Sequence, residues 1–291
     1  MGSVIKMDFY RLFTSLSFKI CLGVVFLINL AEGPITKLVF NIGKSLLEGS
    51  DDPDAQKSLA EMGEWIPDFD VGNLLADGLG VICTAVFLLC IVYFCFADIQ
   101  HGYIKNIAGQ LPSRGHTIVS KYVVIQFTTI LFFIVTFVGN IAGQLIVGRS
   151  LKFEYVYRGA LNFDTGIKAP DEVFTMGEAF ATFGVKFLLL SGMCALILLL
   201  TTGIGSNVAG TIAAILCGGG FTGLAYSGIS AGIDKLFKTE DFKLGDYMPD
   251  SLYRSELVKE GFLLRGLIVA VITIVVLMFI TTRLYNKKDI K

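Results

Sequence analysis

Apolar runs about twenty residues long alternate with polar segments along the whole chain. The runs lie at about 18–40, 73–96, 122–147, 176–200, 208–231 and 262–282. A hydrocarbon layer ~30 Å thick needs ~20 apolar residues of helix to cross it, so the pattern predicts an all-α polytopic membrane protein with six transmembrane helices. Ahead of the first run, Phe9, Leu12, Phe13 and Leu16 share one helical face, against Asp8, Arg11 and Ser15. That spacing predicts an amphipathic helix lying in the inner interface. The chain reads as one domain over 1–291. Its parts are an interfacial helix (1–17), two spans (18–96), a polar segment (97–121), two more spans (122–200), and the last two spans with a basic tail (201–291).

The segment 97–121 is the longest polar stretch on the side of the termini. Within it Ile99, Tyr103, Ile104 and Ile107 recur at helical spacing, between Gly102 and the break at 109–112. The pattern predicts a short helix lying across the ends of two spans. Two readings stand side by side: a docking element for a partner, and an ordinary loop helix on the membrane surface.

Polar residues inside the runs are the candidates for function. The first run is interrupted by Asn29, Glu32, Gly33 and Pro34. Glu32 is either functional or an outer-leaflet residue close to water. Asp77 stands near the outer end of the second span. Lys186 snorkels, pairs with an acid such as Glu178, or lines a pathway. Gln126 and Asn140 are expected to hydrogen-bond between helices. Arg265 is expected to anchor the outer interface, and Trp65 and Phe69 to do the same at the end of the first outer loop. The fifth span is rich in glycine, which lets helices approach closely; its run at 218–220 is also placed to break the helix into a re-entrant segment. Residues 201–207 read as a tight turn.

Composition agrees with the pattern: 54% of residues are hydrophobic and mean hydropathy is +0.68. The net charge of −1 comes without the basic stripe a nucleic-acid binder needs. Lys and Arg outnumber Asp and Glu by ten to three in 1–19, 97–121 and 283–291; the three opposite loops carry eleven against nineteen. The positive-inside rule then places both termini and 97–121 in the cytoplasm and the protein in the plasma membrane. The first apolar run is read as a retained span, because no small-residue cleavage pattern follows it. The six cysteines sit in apolar surroundings without metal-type spacing. Asp51, Asp52 and Asp54 read as a solvated acidic turn, and His101 and His116 as solvated loop residues. Gly203-Ile-Gly-Ser-Asn207 lacks the lysine of a phosphate loop, so the expected chain is not an enzyme and any nucleotide hydrolysis resides elsewhere.

Two stretches carry a resemblance. The run Phe96-Ala-Asp-Ile-Gln-His-Gly-Tyr-Ile-Lys-Asn-Ile107, followed by Pro112-Ser-Arg114 and Ile118-Val-Ser-Lys121, resembles the first cytoplasmic loop of type-2 ABC exporter permeases. The segment from Asp8 to Phe18 is similar to their interfacial leading helix, and the six-span layout is shared. The resemblance implies that 97–121 holds a coupling helix docking on a separate P-loop ATPase, with Gly102, Tyr103, Ile104, Lys105 and Asn106 at the contact. It implies that Arg114 and Lys121 flank that contact and pair with the ATPase or with lipid phosphate. It further implies two ATPase copies, a second permease subunit identical or related, and ATP with Mg bound by the ATPase rather than by this chain. Spans 2 and 5 would line the path, and they carry Asp77 and the glycine run; Glu32 and Lys186 are pathway candidates as ionisable groups at membrane depth. The implied function is export of amphipathic peptides, antimicrobials or other lipophilic compounds from a bacterial cell. The alternatives are a secondary transporter and a non-transporting membrane scaffold.

Overall fold

A computed structural model describes residues 2–48, 68–100, 115–157, 172–237, 243–255 and 261–287. Helix α1 (Gly2–Thr14) is followed by α2 (Leu16–Glu48). Ser15 makes the joint: its amide donates to the Arg11 and Leu12 carbonyls, and its hydroxyl accepts from the Phe18 amide, capping α2. Then come β1 (Asp68–Asp70), α3 (Val71–Asp77), α4 (Val81–Gln100) and α5 (Gly115–Ile146). Strands β2 (Ser150–Lys152), β3 (Tyr155–Tyr157) and β4 (Glu172–Phe174) precede α6 (Met176–Leu198), which runs on into a π-helical turn at Leu199–Ile204. The chain continues with α7 (Asn207–Gly219), α8 (Thr222–Phe237), a 3-10 turn (Leu244–Tyr247), α9 (Pro249–Tyr253) and α10 (Phe262–Lys287).

Among the described residues, four helices are long and apolar enough to cross a membrane, and six if each of two bent pairs counts as one span. The architecture is that of an α-helical, multi-pass membrane protein. The bent pairs are α3 with α4, at 44°, and α7 with α8, at 86°. Glycines of positive φ, Gly78 and Gly220, stand at the two breaks. The expected tight turn at 201–207 is much shorter in the structure. Residues up to Ile204 stay helical, and only Gly205 and Ser206 turn, the first left-handed and the second capping α7 through the Ala209 amide. Likewise α4 extends to Gln100 and α5 starts at Gly115, so only 101–114 lie between them.

Two compact units can be told apart. One comprises Gly23–Leu75 and Ile134–Ala179. In it α2 and α5 touch backbone to backbone. A Cβ on Gly33 would lie 2.5 Å from the Gly143 carbonyl oxygen, one on Gly139 3.0 Å from that of Phe26, and one on Gly143 against that of Leu30. Gly139 and Gly143 form a G-x-x-x-G pair, the spacing that exposes helix backbone for close approach. The same unit holds short strands where the sequence predicts only polar loops: β1 lies parallel to β2 and β3 antiparallel to β4. The Asn73 side chain brackets Val156 as a strand would, donating to its carbonyl and accepting from its amide at 2.9 and 2.8 Å. Asp68 takes the Lys152 ammonium at 2.6 Å and the Ser150 hydroxyl at 2.5 Å. Lys152, and then Ser150, hold the Asp68 carboxyl below its ordinary 3.8, while Asp68 holds Lys152 above its ordinary 10.5. The pair's small contribution is therefore present between those values; it is lost as pH falls through the Asp68 value or rises through that of Lys152.

The other unit comprises Met1–Leu22, Ala76–Phe133 and Phe180–Lys291. Its core is built on α4, which is packed by α7 through a buried ridge of Gly210, Ala214 and Gly218. A Cβ on Gly218 would lie 2.6 Å from the Ala85 Cα, so the glycine-rich fifth run does bring two backbones together. Phe87, Phe132 and Phe18 form an edge-packed aromatic chain beside it.

Candidate functional site

Two places in the Met1–Leu22, Ala76–Phe133 and Phe180–Lys291 unit concentrate polar groups in an apolar setting. The first is where α1, α4 and α5 meet, at the foot of the 101–114 segment. The face that α1 buries carries Val4, Asp8 and Leu12, one turn apart. Of the predicted apolar face Leu12 is buried while Phe13 and Leu16 are exposed, and Asp8, of the predicted polar face, is 1% accessible. Its burial is possible because the Ser120 hydroxyl donates to Oδ2 at 2.7 Å and Arg11 Nη1 lies 3.8 Å from Oδ1. Phe9 meets Phe127 of α5 edge to face at 5.3 Å.

Lys121, beside Ser120, is fully buried, with Nζ 4.9 Å from the centroid of the Phe94 ring on α4. The resemblance gives Lys121 a place flanking a docked ATPase or a lipid phosphate; in this structure its side chain is buried against Phe94. A lysine one turn and a half inside α5 points into the helix junction, where an aromatic face stabilises its charge. Arg11, Leu12 and Phe18 face Tyr93, Phe94 and Ala97 across a cleft of about 340 Å³. Gly102, Tyr103, Ile104, Lys105, Asn106 and Arg114 lie outside the described residues.

The second place is the pair of helix breaks. A break inside a lipid-embedded helix leaves backbone groups without partners. Here consecutive residues supply both sets. The Tyr253 hydroxyl accepts from the Leu79 amide at 2.7 Å and donates to the Leu79 carbonyl at 3.2 Å, closing the break between α3 and α4. Burial pushes this hydroxyl well above its ordinary range, so it remains a donor. Arg254 Nη2 donates to the Cys217 and Gly218 carbonyls at 2.6 and 2.7 Å, closing the end of α7. Buried Asp250 accepts from the Tyr226 hydroxyl at 2.9 Å and from the Thr222 hydroxyl, fixing α9 to α8. The short α9 thus staples both broken helices. Its signal in the sequence was faint: a Pro-Asp start and a Tyr-Arg pair in a polar loop.

Lys186 is buried on α6, with Nζ 6.0 Å from the Tyr253 ring centroid. Glu178, one of the acids suggested for it, caps α6 by accepting from the Thr175 amide and hydroxyl at 2.7 and 2.9 Å. Asp77 is exposed on the last turn of α3. Glu32 accepts from Asn140 Nδ2 at 2.5 Å, and Asn140 continues through Gln144 to Arg149. That network ties α2 to α5, so Asn140 makes the interhelical bond expected of it. Gln126 does the same, accepting from the Ser191 hydroxyl at 2.5 Å. Arg265 lies 3.6 Å from Asp246 and over the Tyr247 ring. Glu32 belongs to the Gly23–Leu75 and Ile134–Ala179 unit, and Asp77 and Lys186 to the other. Among the described residues no three His, Cys, Asp or Glu side chains are grouped to hold a metal ion.

Neither a family model nor a curated protein sequence matches the chain.

Proposed function

We propose that this chain is the membrane-spanning permease subunit of an ATP-driven exporter of the type-2 ABC class. Its cargo is an amphipathic peptide, an antimicrobial or another lipophilic compound, moved out of the cell or membrane. The observation that carries the reading is the foot of the 101–114 segment. The helices on either side of it are coupled through Lys121 and Phe94, and α5 is coupled to α1 through Asp8 and Ser120. A push delivered to such a segment is passed on to several helices as a rigid-body movement instead of being absorbed by one loop. The long apolar exposed faces and the lack of a phosphate loop fit a subunit that borrows its energy. ATP and Mg would be held by two copies of a partner P-loop ATPase, and a second permease, identical or related, would complete the path. Both termini and the docking segment would be cytoplasmic, in the plasma membrane of a bacterium.

Ile104→Asp tests this reading. A carboxylate at the centre of an apolar docking contact should lower cargo-stimulated ATPase activity of the reconstituted complex by about tenfold or more, with membrane insertion unchanged. Stimulated activity equal to wild type would overturn the docking role.

A further inference from the structure

Two of the six cysteines meet across helices. Cys21, half-buried on α2, and Cys90, buried on α4, are hydrogen-bonded thiol to thiol. The aromatic packing beside them brings the two helices together. Phe18, one turn before Cys21, meets Phe132, and Phe132 meets Phe87, one turn before Cys90. The cleft between α1, α2 and α4 gives the pair an opening, since Phe18 and Cys90 both line it. Ile20 and Val24 are exposed apolar neighbours of Cys21 on α2, so that side of the pair is turned to the hydrocarbon phase. The other cysteines are placed differently. Cys83, Cys95 and Cys194 are buried and take no part in the cleft wall. Half-buried Cys217 stands on α7, with Asp250 and Arg254 as its charged neighbours.

We propose that Cys21 and Cys90 are a redox-sensitive pair that an organic hydroperoxide, such as an oxidised lipid, converts into a disulfide. The Cys21 sulfur attacks the outer peroxide oxygen and the O–O bond breaks. The alkoxide leaves as the alcohol, taking the thiol proton, and Cys21 becomes a sulfenic acid. The Cys90 sulfur then attacks the Cys21 sulfur. The S–S bond forms as the S–O bond breaks, and the hydroxyl leaves as water with the Cys90 proton. Thiols already in contact reach bonding geometry by side-chain rotation, without a new helix arrangement. The disulfide clamps α2 to α4 beside the Asp8 junction, and a thiol reductant releases it. The proposal needs only the packing of α2 on α4, so it stands or falls separately from the transport reading.

The test is peptide mass spectrometry of the full chain, purified in detergent, treated with cumene hydroperoxide and then alkylated. Excess dimedone, which traps sulfenic acids, is present throughout. Wild type should give one cross-link, joining the peptides that hold residues 21 and 90. It should exceed the dimedone adduct at Cys21 by roughly tenfold or more, because a thiol held in place captures the sulfenic acid ahead of a dissolved trap. Dithiothreitol should restore all six thiols. Cys90→Ser should lose the cross-link and carry the dimedone adduct at Cys21. A disulfide through Cys217 or between two chains in place of this one would overturn the proposal. So would a wild-type dimedone adduct as abundant as that of Cys90→Ser, or six thiols left free by a dose that oxidises added N-acetylcysteine.

Discussion

Leucine in place of Gly143 is expected to prevent this protein from folding. Gly143 faces α2 where a Cβ would sit on the Leu30 carbonyl oxygen, and Gly33 opposite has the same relation to the Gly143 carbonyl at 2.5 Å. Leu30 is four residues before Pro34, whose missing N–H leaves that carbonyl without its intrahelical partner. Gly143 places only a hydrogen where a Cβ would meet that oxygen. Proline and glycine therefore act as a pair: one exposes an oxygen, the other lets a helix come near it. Both obstructing groups are backbone, so no rotamer change relieves a side chain added here. Gly143→Ala should cost about 1–3 kcal/mol, and Gly143→Leu more than the local packing can absorb. Size-exclusion profiles and thermal melting in detergent check this. A monodisperse Gly143→Leu protein melting with wild type would refute the close packing.

Asp8→Ala is the second large effect. It removes a buried carboxylate that accepts from Ser120 and lies beside Arg11, close to the α5 residue that precedes buried Lys121. Deleting one partner leaves buried charge without compensation, which costs about 3 kcal/mol or more in comparable sites. The melting temperature should fall by roughly 10 °C, taking 2–4 °C per kcal/mol for a chain of this size class. Asp8→Asn keeps the shape and an acceptor for Ser120, and should lose less. If Asp8→Ala melts within about 1 °C of wild type, the carboxylate is not holding the junction together.

The sequence made the helices legible because lipid imposes a length on every apolar run, and that length survives any packing arrangement. The break at Gly218–Gly220 was readable for a similar reason, since three glycines offer a helix little to resist bending. The Gly139 and Gly143 pair is also present as spacing, beside the denser glycines of the fifth run. Asp8 was misplaced on the solvent side because amphipathic reasoning sends carboxylates outward; its partner Ser120 is 112 residues away and invisible to local periodicity. The contact of Lys121 with Phe94 is equally invisible to local periodicity, because the two residues stand on different helices. The α9 staple was hidden more deeply. What Tyr253 and Arg254 satisfy are backbone groups freed by breaks elsewhere in the chain, and those needs exist only once the helices are packed.

The central claim is that the segment between α4 and α5 is the cytoplasmic docking point for a separate ATPase. A photo-reactive p-benzoylphenylalanine placed at Ile104 and activated in intact cells tests it most directly. The account predicts one major cross-linked product, a P-loop ATPase, lost when Lys105 and Arg114 are both replaced by glutamate. A cross-link only to lipid, or to proteins on the outer face of the cell, would contradict it.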